Sequence, residues 1–418
     1  MKIESIQAFE LFDALGQPTV ACTVVLDNGI FASSIVPSGQ SKGSFEAKEL
    51  RDAKNKRLFG MGVSKAIENI QTIIAPALIG LPPAVVEMDL KMIELDGTED
   101  KSNLGSNATL AVSIAILRAQ AIAEELEVYE LIAHLCDYER VTLPFGMFNL
   151  INGGMHAHNK LSIQEFMIMP VGVDSFRSSV EIVAEVFHQS ALLLKKSGRF
   201  FGIGDEGGYS VPFDHDREAL DLIMQAVHDC GMQKQIVIAL DVAATRLYDE
   251  KLKTYKLSGK EYTAHELIAY YDELRKQYPL YSIEDGLHES DWSSWQEMTK
   301  QLGDNLQIVG DDLFATNAAR IAYGIEHQSA NAAVIKPNQV GTVTETLQAI
   351  KLCKEYEMNV IVSHRSGETE DTFLVDLAVG TSAGQIKAGG LMRSERVSKY
   401  NALLQIEDSL MGSLLDSY

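Results

Sequence analysis

The second half of the chain keeps an almost constant interval. Short apolar runs recur there, and each ends in side chains able to do chemistry. Ile236–Leu240 ends at Asp241, and Leu280–Ile283 at Glu284 and Asp285. Leu306–Val309 leads through Gly310 to Asp311 and Asp312, and Ala332–Ile335 ends at Lys336. Asn359–Val362 leads through Ser363 to His364, Arg365 and Ser366, and Gln385–Ile386 leads to Lys387. Glu284 to Asp311 is 27 residues, followed by 25 to Lys336, 28 to His364 and 23 to Lys387. One strand and one helix fill such an interval. No sequence repeat accompanies it, so a solenoid is set aside. Polar residues at the ends of successive parallel strands predict a (β/α)8 barrel with its site at that mouth. A doubly wound sheet would gather its site at one switch point instead.

Ahead of this region the pattern is different. Ile3–Phe12, Thr19–Leu26 and Ile30–Ile35 read as strands, the last two joined by the tight-turn signal Asp27-Asn28-Gly29. Pro37–Gly43 is a Gly/Ser loop, either a connector or a mobile flap. Helical periodicity follows in Val63–Leu78, Val85–Ile93 and Asn107–Leu126. Strands followed by helices predict a small α+β domain, a three-stranded antiparallel sheet plus helices. The seam is expected within Asp137–Leu143, dividing the 418 residues into 1–137 and 138–418.

A net charge of −22 argues against partners that need a basic face, so neither nucleic acid nor an anionic membrane is expected. Cys22, Cys136, Cys230 and Cys353 are far apart in sequence and form no C-x-x-C motif. The N-terminus MKIESIQAFELFD carries charges where a signal peptide has an apolar block. The longest near-apolar run, Ile73–Leu81, is too short to span a bilayer. A soluble, cytoplasmic protein is expected.

Asp241, Glu284 and Asp311 are three carboxylates that a barrel would aim at one point. Unneutralised, they repel. All-oxygen donors with no cysteine or histidine triad point to Mg²⁺ as the counter-charge. Lys336 and Lys387 lie across the same ring, where like charge is expected to push a lysine down toward use as a base. Arg365 and Ser366 offer a fork and a hydroxyl suited to a phosphate. His156, Gln164 and Glu165 in NGGMHAHNKLSIQE, and Glu206 in GDEGG, add further polar groups. Together they suit removal of a proton α to a carboxylate of an anionic substrate.

Several segments are specific enough to compare with a known family. SIEDGL (Ser282–Leu287), GDDLFATN (Gly310–Asn317), IKPNQVGT (Ile335–Thr342), SHRSGETEDTF (Ser363–Phe373) and GQIKAG (Gly384–Gly389) closely resemble the motifs of enolase, phosphopyruvate hydratase. NGGMHA, SIQEFMIMP, GDEGG and ALDVAA do so as well, and the resemblance runs from about Gln17 to Asp408. It implies an α+β domain on an enolase-type barrel of ββαα(βα)6 order. It also implies reversible dehydration of 2-phosphoglycerate to phosphoenolpyruvate with two Mg²⁺ per site, the second arriving with substrate. A lysine base working with Mg²⁺ is the known pattern of that superfamily.

By resemblance, Asp241, Glu284 and Asp311 hold the first metal, and Ser41 in the flap closes onto the second. Lys336 corresponds to the base and Glu206 to the acid, with Glu165 beside it. Lys387 corresponds to the lysine facing the substrate carboxylate, and Arg365 with Ser366 to the phosphate grip. His156, Gln164 and His364 correspond to supporting positions. The family implies a homodimer or homo-octamer.

The chain departs from the family pattern at Leu15, Lys42 and Arg246. Ala21, Gln405 and Phe9 stand where the family's intersubunit ion pairs usually lie, so an altered interface is expected. The alternatives are a paralogue doing the same chemistry on a related phosphono- or phosphorylated hydroxy acid, and a binding or scaffold protein.

Overall fold

The computed structural model describes residues 1–40 and 42–415. Strands Ile3–Phe12, Pro18–Leu26 and Phe31–Ile35 form an antiparallel sheet in sequence order. Alternate side chains Ile3, Ile6, Ala8, Val20, Cys22, Val24 and Ala32 are buried on one face. That face meets the helix Ser106–Ala123, which is apolar nearly all round and enclosed by protein.

One predicted helix takes a different form. Val63–Leu78 folds as Ser64–Asn69, a π turn at Ile70–Ile74, then Ala75–Leu78. Pro76 has no N–H, and its ring clashes with the carbonyl four residues back. A wider turn just ahead relieves both. A further helix, Val128–Leu135, escapes the sequence reading. A reciprocal capping box between Glu127 and Glu130 starts it.

The second unit is a closed barrel of eight strands: Phe145–Asn152, Glu165–Pro170, Ile236–Asp241, Leu280–Glu284, Gln307–Gly310, Ala332–Ile335, Asn359–Ser363 and Gly384–Lys387. The second strand is antiparallel to both neighbours, and the last pairs with the first. Two strands precede two helices, after which strand and helix alternate, giving the ββαα(βα)6 order. Antiparallel entry has one consequence for the site. Glu165 begins its strand and yet pairs with Asp241, which ends the next, so both reach the same mouth.

The two units are joined by polar contacts. Arg118 pairs with both oxygens of Asp371 at 2.7 Å, and Ile35 N donates to Asp371 Oδ2 at 2.9 Å. Ser38 and Gly367 exchange backbone hydrogen bonds. Asp89 Oδ2 accepts from Thr344 N at 2.9 Å and Thr344 Oγ1 at 2.7 Å, while its Oδ1 is buried without a partner.

Burial raises the Asp89 carboxyl from 3.8 to about 6. The fold therefore favours its protonated form. That contribution is complete below about pH 4 and is lost as the pH climbs through 6. Two pKa units correspond to about 3 kcal/mol. Asp89→Asn is expected to match the parent at pH 4 and to exceed it by about 2–3 kcal/mol at pH 8. Urea unfolding midpoints at the two pH values check this.

Candidate active site

The barrel mouth gathers the predicted residues from nine places in the chain. His156, Gln164, Glu165, Glu206, Asp241, Asp311, Lys336, His364, Arg365, Ser366 and Lys387 line one enclosed space with Ser363. Glu284 stands beneath it, one hydrogen bond from Lys387. All but Lys336 are at least nine-tenths buried. Ser41 lies outside the described residues.

Lys387 is the centre of the charge arrangement. Its Nζ donates to Glu284 Oε1 and Oε2 at 2.7 and 2.8 Å, and to Asp241 Oδ2 and Glu165 Oε1 at 3.3 Å. Lys336 Nζ donates to Asp311 Oδ2. Burial opposes the charge on Lys387, but Glu165, Glu284 and Asp241 outweigh it and hold the ammonium well above the usual lysine range. Asp311 does the same for Lys336 against burial. The sequence expectation of depressed lysines counted a second lysine and a bound metal; the protein's own carboxylates lie nearer and act in the opposite sense.

Burial and mutual repulsion act on the acids. The carboxyl of Glu165 is raised by burial and by Glu206, and that of Glu284 by burial and by Asp241. Asp311 is lowered, because Lys336 and Lys387 overcome its burial. Glu206 is held from three sides. Asn149 Nδ2 donates to its Oε2 at 3.3 Å, His156 Nε2 lies 3.4 Å from Oε1, and His364 Nε2 lies 3.9 Å from Oε2.

The phosphate-type grip is already engaged by protein groups. Arg365 Nη1 donates to Glu46 Oε2 at 2.8 Å and Nη2 to Glu46 Oε1 at 3.2 Å, with Asn338 Oδ1 accepting from Nη1 at 3.0 Å. Gln40 N, in the flap, donates to Ser366 Oγ at 2.8 Å. Glu46 also accepts from Gly43 N at 3.0 Å and Gln339 Nε2 at 3.3 Å, and Gln339 Nε2 donates to Asp311 Oδ1 at 3.0 Å. Glu46, Asn149, Asn338 and Gln339 were not singled out from sequence. Asn338 and Gln339 were legible within IKPNQVGT, whereas Glu46 and Asn149 reach the site only through the fold.

None of Leu15, Lys42 and Arg246 lines the enclosed space. Lys42 pairs with Glu49 at 2.9 Å, and Glu49 also accepts from Asn338 Nδ2 at 3.3 Å.

A barrel whose mouth sets lysines against buried carboxylates, closed by a second domain, defines a proton-abstracting enzyme class. The family models for the enolase N-terminal domain and the enolase C-terminal TIM barrel domain match residues 3–132 and 140–414, and the chain belongs to the enolase family. It is accordingly a lyase-type enzyme that abstracts a proton α to a carboxylate with the help of a divalent metal.

The donor set fits a hard cation. Asp241, Glu284 and Asp311 are oxygen donors held against ammonium groups, the positions where positive charge is needed. Gln164 Oε1 and Glu165 Oε2 are buried oxygens with no hydrogen-bond partner. Among the described residues, two acidic sets bring ligand atoms within 4.8 Å of one another: His156, Glu165 and Glu206, and Asp285, Asp311 and Asp312. Asp241 and Glu284 belong to neither set, and Lys387 lies between them.

Gly39 passes so close to Arg365 that a methyl group there would overlap Nη2. Gly39→Ala is expected to displace the guanidinium and weaken binding of a phosphorylated ligand about a hundredfold. Isothermal titration, with melting temperature as the control for folding, measures the effect.

Proposed function

We propose that this enzyme interconverts 2-phosphoglycerate and phosphoenolpyruvate, using Mg²⁺. The observation that carries the reading is that Arg365, Ser366, Lys336 and Glu206 line one common space. An anion grip, a base and an acid match a three-carbon phosphate with an acidic α-proton and a β-hydroxyl. The departures from the family pattern lie outside that space, which favours the family's own substrate over a related acid.

In this reading Arg365 and Ser366 hold the phosphate, and Lys387 faces the carboxylate. Lys336 Nζ takes the proton from the α-carbon. The electron pair moves onto the carboxylate as an enediolate, and returns to form the double bond as the bond from the β-carbon to its hydroxyl breaks. Glu206 gives that hydroxyl its proton, and water leaves. Asp241, Glu284, Asp311 and Ser41 would hold divalent cations, whose charge would offset that growing on the carboxylate. The like charge of Arg365 and Lys387 opposes the charge on Lys336, in the sense a base needs. The space encloses only about 20 Å³, room for one water. A bound substrate would therefore displace Gln40 from Ser366 and the lysines from their carboxylates.

The test is to supply folded protein with Mg²⁺ and 2-phosphoglycerate and follow phosphoenolpyruvate by its ultraviolet absorbance. Absence of product refutes the reading. Lys336→Ala is expected to lower kcat by about a thousandfold or more. In deuterium oxide it should also abolish exchange of the α-proton, whereas Glu206→Gln should lose dehydration but retain exchange.

A further inference from the structure

Arg396 is fully buried and has no part in the chemistry above. It projects from the first turn of the last helix, Ser394–Leu415. Its donors reach two loops at the barrel mouth. Nη1 donates to His364 Nδ1 and, at 2.7 Å, to Arg365 O. Nη2 donates to Ser366 O at 2.7 Å and to Asp205 O at 3.1 Å. Gly389, at φ +89°, leaves room for the stem. A methyl group there would press on both Arg396 Cδ and Glu206 O. The nearest carboxylate oxygen, on Glu395, is 3.5 Å from Nε. A buried guanidinium balanced mainly by carbonyls is a costly way to hold a loop, so its specific partners are informative.

Guanidinium has donors and no acceptor. His364 Nδ1 must therefore be the nitrogen without a proton, which places the proton of the neutral ring on Nε2. Burial, followed by the charges of Arg396, Lys387 and Lys336, keeps the imidazole neutral. Nε2 faces Glu206 Oε2 at 3.9 Å, a gap of the kind that closes around a bound reactant.

We propose that Arg396 is a positioning residue that locks His364 as its Nε2–H tautomer and so aims a donor at the carboxylate of Glu206. This rests on the reading of Glu206 as the proton donor to the leaving hydroxyl. A donor aimed at Glu206 stabilises the anion that remains after the proton has gone. The other tautomer would set an N–H against the guanidinium and a lone pair against the carboxylate, and both contacts are repulsive. The same fork holds the carbonyls of Arg365, Ser366 and Asp205, so it also ties the anion grip to the loop that carries Glu206.

The tautomer can be read without turnover. In ¹⁵N-histidine NMR of the full chain at pH 8, the His364 signals are assigned by their loss in His364→Ala. They should show Nε2 protonated and Nδ1 bare. Arg396→Met should convert His364 to Nδ1–H or to a mixture, and Arg396→Lys, which retains one donor, should preserve Nε2–H. An Nδ1–H ring in the parent, or an unchanged ring in Arg396→Met, overturns the proposal. If Arg396→Met does not fold, Arg396→Lys carries the kinetic test. It should lower kcat about tenfold with KM within threefold, and have no further effect in the His364→Ala background. Additive losses overturn the proposal. A protein that leaves 2-phosphoglycerate untouched defeats the assigned reaction and leaves the tautomer result to stand or fall on the NMR.

Discussion

Five carboxylates, Glu165, Glu206, Asp241, Glu284 and Asp311, are buried at one end of a single barrel. Such a concentration of like charge cannot persist without cations. The rest of the site follows from how that charge is met. Lys387 spans three of the carboxylates, and Lys336 takes the fourth. Strand order separates the signs along the chain. The acids come from the earlier strands and loops, and the three cations Lys336, Arg365 and Lys387 from the last strands. Closure of Gly384–Lys387 onto Phe145–Asn152 brings the two groups face to face.

The N-terminal domain completes this balance. Glu46 supplies the counter-charge for Arg365, and the Asp371–Arg118 pair fixes the loop between Ser363 and Asp371 against the sheet. Glu46 offsets the cost of burying the Arg365 guanidinium. One loop thus serves both as the anion grip and as the domain seam. A phosphate that reaches Arg365 must share or displace Glu46, which links ligand binding to the segment following the flap.

Much of the fold was legible in local pattern. Alternating apolar residues gave Ile3–Phe12 its bounds, and apolar runs ending in Asp241, Glu284 and Lys336 marked strands by their spacing. The π turn ahead of Pro76 and the helix Val128–Leu135 were less visible. In the first the chain changes hydrogen-bond register without changing composition, and the second is too short for periodicity to stand out. In the site, the residue types were readable and their protonation was not. The sequence expectation for the lysines left out the carboxylates beside them, because sequence spacing ranks neighbours by order along the barrel, whereas Coulomb energy ranks them by distance.

Sequence alone determined the list of chemical groups and the end of the barrel on which they fall. Strand periodicity and strand length are local properties, and the identity of a side chain needs no fold. Only tertiary structure decided which acid meets which cation, that Lys42 pairs with Glu49, and that Arg396 stands behind His364. Those pairings join residues up to 319 positions apart, as in Arg365 with Glu46. Their energies depend on ångström separations in a medium of low dielectric, which no pattern along the chain records.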